Sequence, residues 1–185
     1  PYYYQTLSKA EQSSYQAMQA GLQAFAPSFP VPLLENRALT DVFMKLRLDC
    51  PQLFYAGTFQ YRYYPDSRNA ELIPAYLFEK GKLKEHQKAL QARVEKLVRP
   101  VAKCGDEEKL LYIHDFICKN VRYDKLKKQY SHEIIGDLGH GVGVCEGIAK
   151  AVKILCDALQ IQCIIALAEN NPEKGVKYRH AWNVV

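Results

Sequence analysis

The sequence predicts an α+β protein: a mainly helical N-terminal region with a β-hairpin, residues 1–104, ahead of a core, residues 105–185, built from a cysteine-bearing helix and a histidine-bearing strand. Three observations predict it. Apolar residues recur at helical spacing in several separate stretches. "GTFQYRYY" and "HAWNVV" alternate with the period of two that a half-buried strand requires. The glycine-spaced stretch "GHGVGVCEGIAKAVKILCDAL", residues 139–159, changes into a helical pattern at a cysteine.

Each element can be justified in turn. From Leu7, the positions Tyr15, Met18, Leu22 and Phe25 share one helical face, and the pattern stops before "APSFPVP", whose prolines predict an extended connector. Thr40 is a serviceable N-cap for a short helix through Val42, Phe43 and Leu46 that ends near "DCP". "GTFQYRYY" puts Phe59, Tyr61 and Tyr63 on one face of a strand. After a turn at "PDSRN", "AELIPAYLF" is its antiparallel partner, with Pro74 at an edge or bulge because it cannot donate to a ladder.

A long amphipathic helix follows, with Leu83, Leu90, Val94, Leu97 and Val101 on its apolar side and Pro100 as its kink or end. Acidic residues open the next helix, "GDEEKLLYIHDFICKNV". Leu110, Ile113, His114, Ile117 and Val121 form its apolar face, where a histidine reads as a hydrogen-bonded core residue. Residues 123–143 read as a loop, "IQCIIALA" as a buried strand, "ENNPEKG" as a turn and "VKYRHAWNVV" as the last strand.

Composition narrows the function. A chain of 185 residues buries a real core without covalent staples, and it holds no apolar run long enough to cross a bilayer. The net charge of +5 is spread over "KGKLKEHQK" and "DKLKKQY" rather than gathered into one basic surface, which argues against nucleic acid as a partner. The tyrosine clusters "PYYY" and "FQYRYY" read as half-buried packing positions. No signal-peptide pattern opens the chain, and Pro1 in place of Met suggests a trimmed start, so the expected location is cytoplasmic, or exported with the signal removed. Nothing sets an oligomeric state.

The six cysteines form no CxxC pair, which argues against a zinc ribbon and a thioredoxin-type couple; an even count allows disulfides, but a chain of this size without dense cysteine spacing is expected to keep its thiols reduced. Cys118, Cys156 and Cys163 fall in apolar segments and read as buried packing residues. Cys145 differs. At the first or second position of a helix, its thiolate is favoured by unsatisfied backbone NH groups and by the positive end of the helix dipole. The same NH groups can receive the oxyanion of an acyl-transfer intermediate.

Gly141 and Gly143 let a substrate approach the backbone and tolerate the tight turn, and Gly147 keeps the first helical turn uncrowded. The competing reading is that the glycines end a loop and Cys145 only packs. A nucleophile also wants a base, and His180 stands on a strand that would hold its ring, with Trp182 and Val184 on the same face. His132 and His140 lie in the loop and read as solvated. One cysteine and one strand histidine fall short of a metal site.

"GVGVCEGIAKAVKILCDALQIQCIIALA" followed by "RHAWNVV" resembles the transglutaminase-like superfamily, whose members share a papain-type Cys-His-Asp arrangement. The matching residues are Gly143, Val144, Cys145, Gly147 and Ala149, the helix end "ALQIQC", and His180, Ala181, Trp182 and Asn183. The lead-in "HDFICKNVRYD" is similar too, so that the resemblance covers residues 106–185, and the N-terminal helices resemble those of bacterial relatives.

The resemblance implies a papain-like core in which the Cys145 helix packs on an antiparallel sheet bearing His180. Cys145 is then the nucleophile, its own NH lies in the oxyanion hole with Gly143, Val144 and Trp182 along the cleft, and His180 is base and then acid. It implies a protein or peptide substrate and no cofactor. The calcium-binding loops of animal members have no counterpart, so no metal is expected. The family's third residue, an aspartate on the strand after the histidine strand, has no match in a chain that stops five residues past His180. The expectation is a core incomplete at its C-terminus and, without the orienting carboxylate, an activity lowered by orders of magnitude.

Hydrolysis of a peptide or carboxamide bond is expected over cross-linking, with a catalytically inactive binding or scaffold module as the alternative. A redox-sensing thiol is disfavoured because Cys156, eleven residues on, does not share Cys145's end of a straight helix. If "EIIGDLGHG" packs across the cysteine, it gates access.

Overall fold

A computed structural model describes residues 1–168 and 179–185, so the expected turn at "ENNPEKG" and the first residues of the last strand lie outside the described residues. The chain divides into two compact units, Pro1–Lys84 and Glu85–Val185, each mixing helices with small sheets as an α+β chain does. The sequence reading placed its border after residue 104.

In the first unit, α1 (Tyr2–Thr6) and α2 (Lys9–Gln23) precede the edge strand β1 (Phe29–Pro32). The apolar pattern does not reveal α1. Its first NH groups are met from a distance, with the Asp49 carboxylate accepting from Tyr3 N at 3.1 Å and Tyr4 N at 3.0 Å. α2 buries Tyr15, Met18 and Leu22 as expected, and its start is closed by a Ser8–Glu11 capping box. Phe25 lies beyond the helix end at φ 52° and stacks on Tyr76.

α3 (Asn36–Asp49) starts earlier than expected. Thr40 is inside it, its hydroxyl donating to Asn36 O at 3.1 Å, and the N-cap position is Glu35. Strands β2 (Ala56–Tyr63) and β3 (Asn69–Tyr76) form the expected hairpin, in a sheet of order β1-β3-β2. The expected connector at residues 26–32 is therefore partly a strand. Prolines at alternate positions 30 and 32 can leave their missing donors on the open side of an edge strand, which makes "FPVP" compatible with a ladder. Pro74 pairs with Phe59, beyond Leu72, the last β3 residue that β1 pairs, so β3 is an edge at that point.

In the second unit, α4 (Lys80–Val98), which begins before the division, ends in a tight turn Arg99–Val101 around Pro100. α5 (Asp106–Asn120) opens with Asp106, Glu107 and Glu108, favourable at the positive end of the helix dipole. Its buried stripe is narrower than the sequence suggests. Ile113 and Ile117 are buried, whereas His114, about 100° round the helix, has a side chain 74% exposed. His114 is thus no core histidine. Cys118, one turn on and 3.6 Å from its Nε2, is exposed with it.

Strands β4 (Arg122–Tyr123) and β5 (Val142–Gly143) form a short parallel pair, and the residues expected as a loop between them are structured. A turn Gln129–His132 and a wide helical turn Ile135–His140 bury Ile134, Ile135 and Leu138, so "EIIGDLGHG" contributes to the core rather than forming a flap. Asp124 organises the approach, accepting from Ser131 Oγ at 2.6 Å, Lys128 N at 2.9 Å and Leu126 N at 3.0 Å. Helix α6 (Cys145–Ala158) then leads to the antiparallel hairpin of β6 (Ile164–Ala168) and β7 (His180–Val184). Its core includes Ala151, Leu155, Cys156, Ile165 and Ala181. Among the described residues no helix is long and apolar enough to cross a membrane.

Candidate active site

Cys145 is the first residue of α6, with Val144 as its N-cap and no side chain capping the helix start. Its thiol is half-buried, at the place where backbone NH groups of a first helical turn are not used within the helix. The turn is built by long-range contacts. Val144 N donates to Ser131 O at 2.9 Å, and Asp124 N donates to Gly143 O at 3.0 Å, which ties the strand ahead of the cysteine to both neighbours.

Gly143 and Gly147 serve a different purpose from the one their spacing suggests. Neither faces an open approach for substrate. A Cβ on Gly143 would run into the Asp137 carboxylate, and one on Gly147 into the Ser131 carbonyl and, at 2.6 Å, Asp137 Oδ2. Of the glycines before the cysteine, Gly141 is the one with a left-handed backbone, φ 67°, where it ends the turn Ile135–His140.

Asp137, inside the expected loop, is the residue that sequence reasoning missed. It is 2% exposed, and neither carboxylate oxygen has a hydrogen-bond partner from another residue among the described residues. Burial lifts its carboxyl to about 8, only partly offset by its own backbone NH and by the charge of Lys150. The motif that positions it, a glycine on each side of Cys145, was visible. Its cause was not, because only the fold brings residue 137 between 143 and 147.

A buried ion cluster lies along the same helix. Lys150, fully buried, reaches Glu133 Oε1 at 2.9 Å, Glu146 Oε1 at 2.8 Å and the His132 carbonyl at 3.1 Å. It holds residues 132 and 133 against the first two turns of α6. His132, expected to be solvated, has Nδ1 at 3.4 Å from Glu146 Oε2 and is half-exposed, and the His140 ring lies 4.7 Å from that of Tyr130.

His180 opens β7 in register with Ala168. It shares the outward face with Trp182 and Val184 as expected, its ring 5.9 Å from that of Trp182, while Ala181 and Asn183 turn toward α6. The level of the hairpin along α6 follows from its bonds. Cys163, just before β6, meets the helix near its C-terminal half, where Lys153 Nζ donates to its carbonyl at 3.0 Å. Asn183, paired with Ile165, meets Ala149 nearer the N-terminus. The Ala168–His180 end of the hairpin therefore runs toward the Cys145 end of the helix. Among the described residues no hydrogen bond joins Cys145 to His180.

All six cysteines are free. Cys50, Cys156 and Cys163 are buried. The Cys156 thiol donates to the Cys163 sulfur, which raises the pKa of the first and lowers that of the second, with Asn183 and Lys153 adding to the latter effect. Among the described residues no group of three or more His, Cys, Asp or Glu side chains is placed to hold a metal ion.

Helices packed with small sheets, with a cysteine opening the helix that packs on an antiparallel hairpin headed by a histidine, make this an α+β domain. A family model of the transglutaminase-like superfamily matches residues 91–185, half of the chain, and the chain belongs to that superfamily. Its members are in general cysteine-dependent acyl-transfer enzymes. No curated protein matches the chain.

Proposed function

We propose that the second unit catalyses cysteine-dependent acyl transfer on peptide or carboxamide bonds, with water as the acceptor, so that the outcome is hydrolysis rather than cross-linking. The observation that carries the reading is Cys145 at the first position of α6, half-exposed at a helix terminus whose first-turn NH groups are not used within the helix and can receive an oxyanion. In this reading Cys145 Sγ attacks the carbonyl carbon and the oxyanion is received by the Cys145 NH. His180 takes the Cys145 thiol proton as Sγ attacks, gives it to the leaving amine, then takes a proton from the water that cleaves the thioester and returns it to Sγ as the acid leaves. Trp182, exposed on the same face as His180, lines the cleft, whereas Gly143 and Val144 are buried behind the cysteine, and no cofactor or metal takes part. Substrates are proteins or peptides.

A scaffold that retains the fold without the chemistry is the competing reading, favoured by the missing hydrogen bond between Cys145 and His180. The pH dependence of Cys145 alkylation by iodoacetamide, read by peptide mass spectrometry in the native chain and in His180→Ala, separates the two. Alkylation of Cys145 faster than that of exposed Cys118, and slowed in the variant, is the expected result. Alkylation that follows an ordinary thiol curve in both proteins defeats the enzymatic reading.

A further inference from the structure

The amide of Asn183 joins three elements at once. Its Nδ2 donates to the carbonyl of Ala149, four residues into α6 from Cys145, at 2.8 Å, and to Cys163 Sγ, at the foot of β6, at 3.3 Å. Asn183 itself stands on β7, three residues after His180 and on the opposite face. A side-chain NH2 group has two hydrogens, and here two acceptors on two different elements take them. Neither acceptor could be served by aspartate, which would set an oxygen against the Ala149 carbonyl.

We propose that Asn183 is a positioning residue for the reaction: its amide sets the level of β7 along α6 and thereby the place of His180 relative to Cys145. Ala149 is about 6 Å along the helix axis from Cys145 at 1.5 Å per residue, and His180 is about 10 Å back along the strand from Asn183 at 3.3 Å per residue. The histidine thus reaches the end of the helix at which the thiol lies, a few ångströms past its first residue. A slip of one residue pair would turn the imidazole to the other face and move it about 3 Å. The hairpin has only five residues in each strand, and the tie to Ala149 adds to the burial of Ile165 and Ala181 in resisting such a slip. This proposal rests on the reading of Cys145 and His180 as an acyl-transfer pair, and its test keeps the two apart.

The test compares the native chain, His180→Ala, Asn183→Ala and Asn183→Leu. The leucine variant keeps the branched outline of the side chain while removing the two hydrogen bonds, which guards against the cavity that alanine leaves. Thermal unfolding establishes that each protein folds. Amide hydrogen exchange then reads β7 itself, and iodoacetamide alkylation across pH reads Cys145. The expected result is a loss of protection at residues 181–184 of about tenfold or more, as the removal of two hydrogen bonds predicts, together with a Cys145 pH profile that moves toward that of His180→Ala.

A folded Asn183 variant that keeps the native Cys145 profile, while His180→Ala changes it, overturns the proposal. If His180→Ala leaves the profile unchanged, the acyl-transfer reading fails. In that case retained β7 protection in the Asn183 variants overturns the positional role as well, and lost protection upholds it as the anchor of the strand.

Discussion

Replacing Asp137 by asparagine tests the least expected feature of the site. In the unfolded chain the carboxyl titrates near its ordinary value of 3.8, whereas burial against Gly143 and Gly147 lifts it to about 8 in the folded protein. Between those values only the folded state holds the proton, so stability falls as pH rises, by about 1.36 kcal/mol per unit. The contribution is fully present below pH 3.8 and is lost by the time pH has passed the folded value. From pH 5 to pH 8 the loss comes to about 4 kcal/mol, a large share of the ~5–15 kcal/mol that holds a typical domain.

Asp137→Asn has the same shape and no titration, and all other groups titrate alike in the two proteins. Urea unfolding of both at pH 5, 6, 7 and 8 therefore isolates the group. The difference is expected to open in favour of the variant by about 4 kcal/mol across that range. A difference that stays constant with pH, or opens the other way, refutes the reasoning, because it means that the carboxylate is stabilised in its pocket by a partner. The proton also keeps a negative charge away from the helix terminus that Cys145 opens.

Other outcomes follow from the same contacts. Gly147→Ala, which in a free helix would add up to ~1 kcal/mol, is expected to lower stability by about 1–3 kcal/mol because the Ser131 carbonyl occupies the space; thermal unfolding checks it. Gly143→Ala meets a side chain instead, so Asp137→Ala is expected to rescue it in a double-mutant cycle and to leave Gly147→Ala largely unrescued. Lys150→Met removes the ammonium from between Glu133 and Glu146 and is expected to cost about 3–5 kcal/mol in denaturant unfolding. In native-state alkylation, exposed Cys118 should label at once while Cys50, Cys156 and Cys163 wait for unfolding, and early labelling of those three would contradict their burial.

What was legible in the sequence was local. The capped start of α2, the hairpin of β2 and β3, the proline that ends α4 and the cysteine at the head of α6 each follow from residues within a turn or two of one another. The errors arose where burial is decided from outside the element. His114 fits a helical apolar face by spacing, yet nothing among the described residues covers that side of α5, and the imidazole stays exposed. Residues 123–143 carry glycines and polar side chains that read as a loop, but Asp124, Ser131 and Val144 hold them in a packed, hydrogen-bonded arrangement.

By itself the sequence determined the family, the order of most elements and the helix start at which Cys145 stands, because periodicity, capping and glycine spacing act over a few residues. The tertiary structure alone decided why two glycines flank the cysteine, where the buried Lys150 finds its carboxylates and which backbone carbonyl receives the Asn183 amide. Those pairings join residues up to 34 positions apart, as Asn183 to Ala149 does, and a carboxyl or an amide acquires its chemistry from the neighbours that folding brings to it.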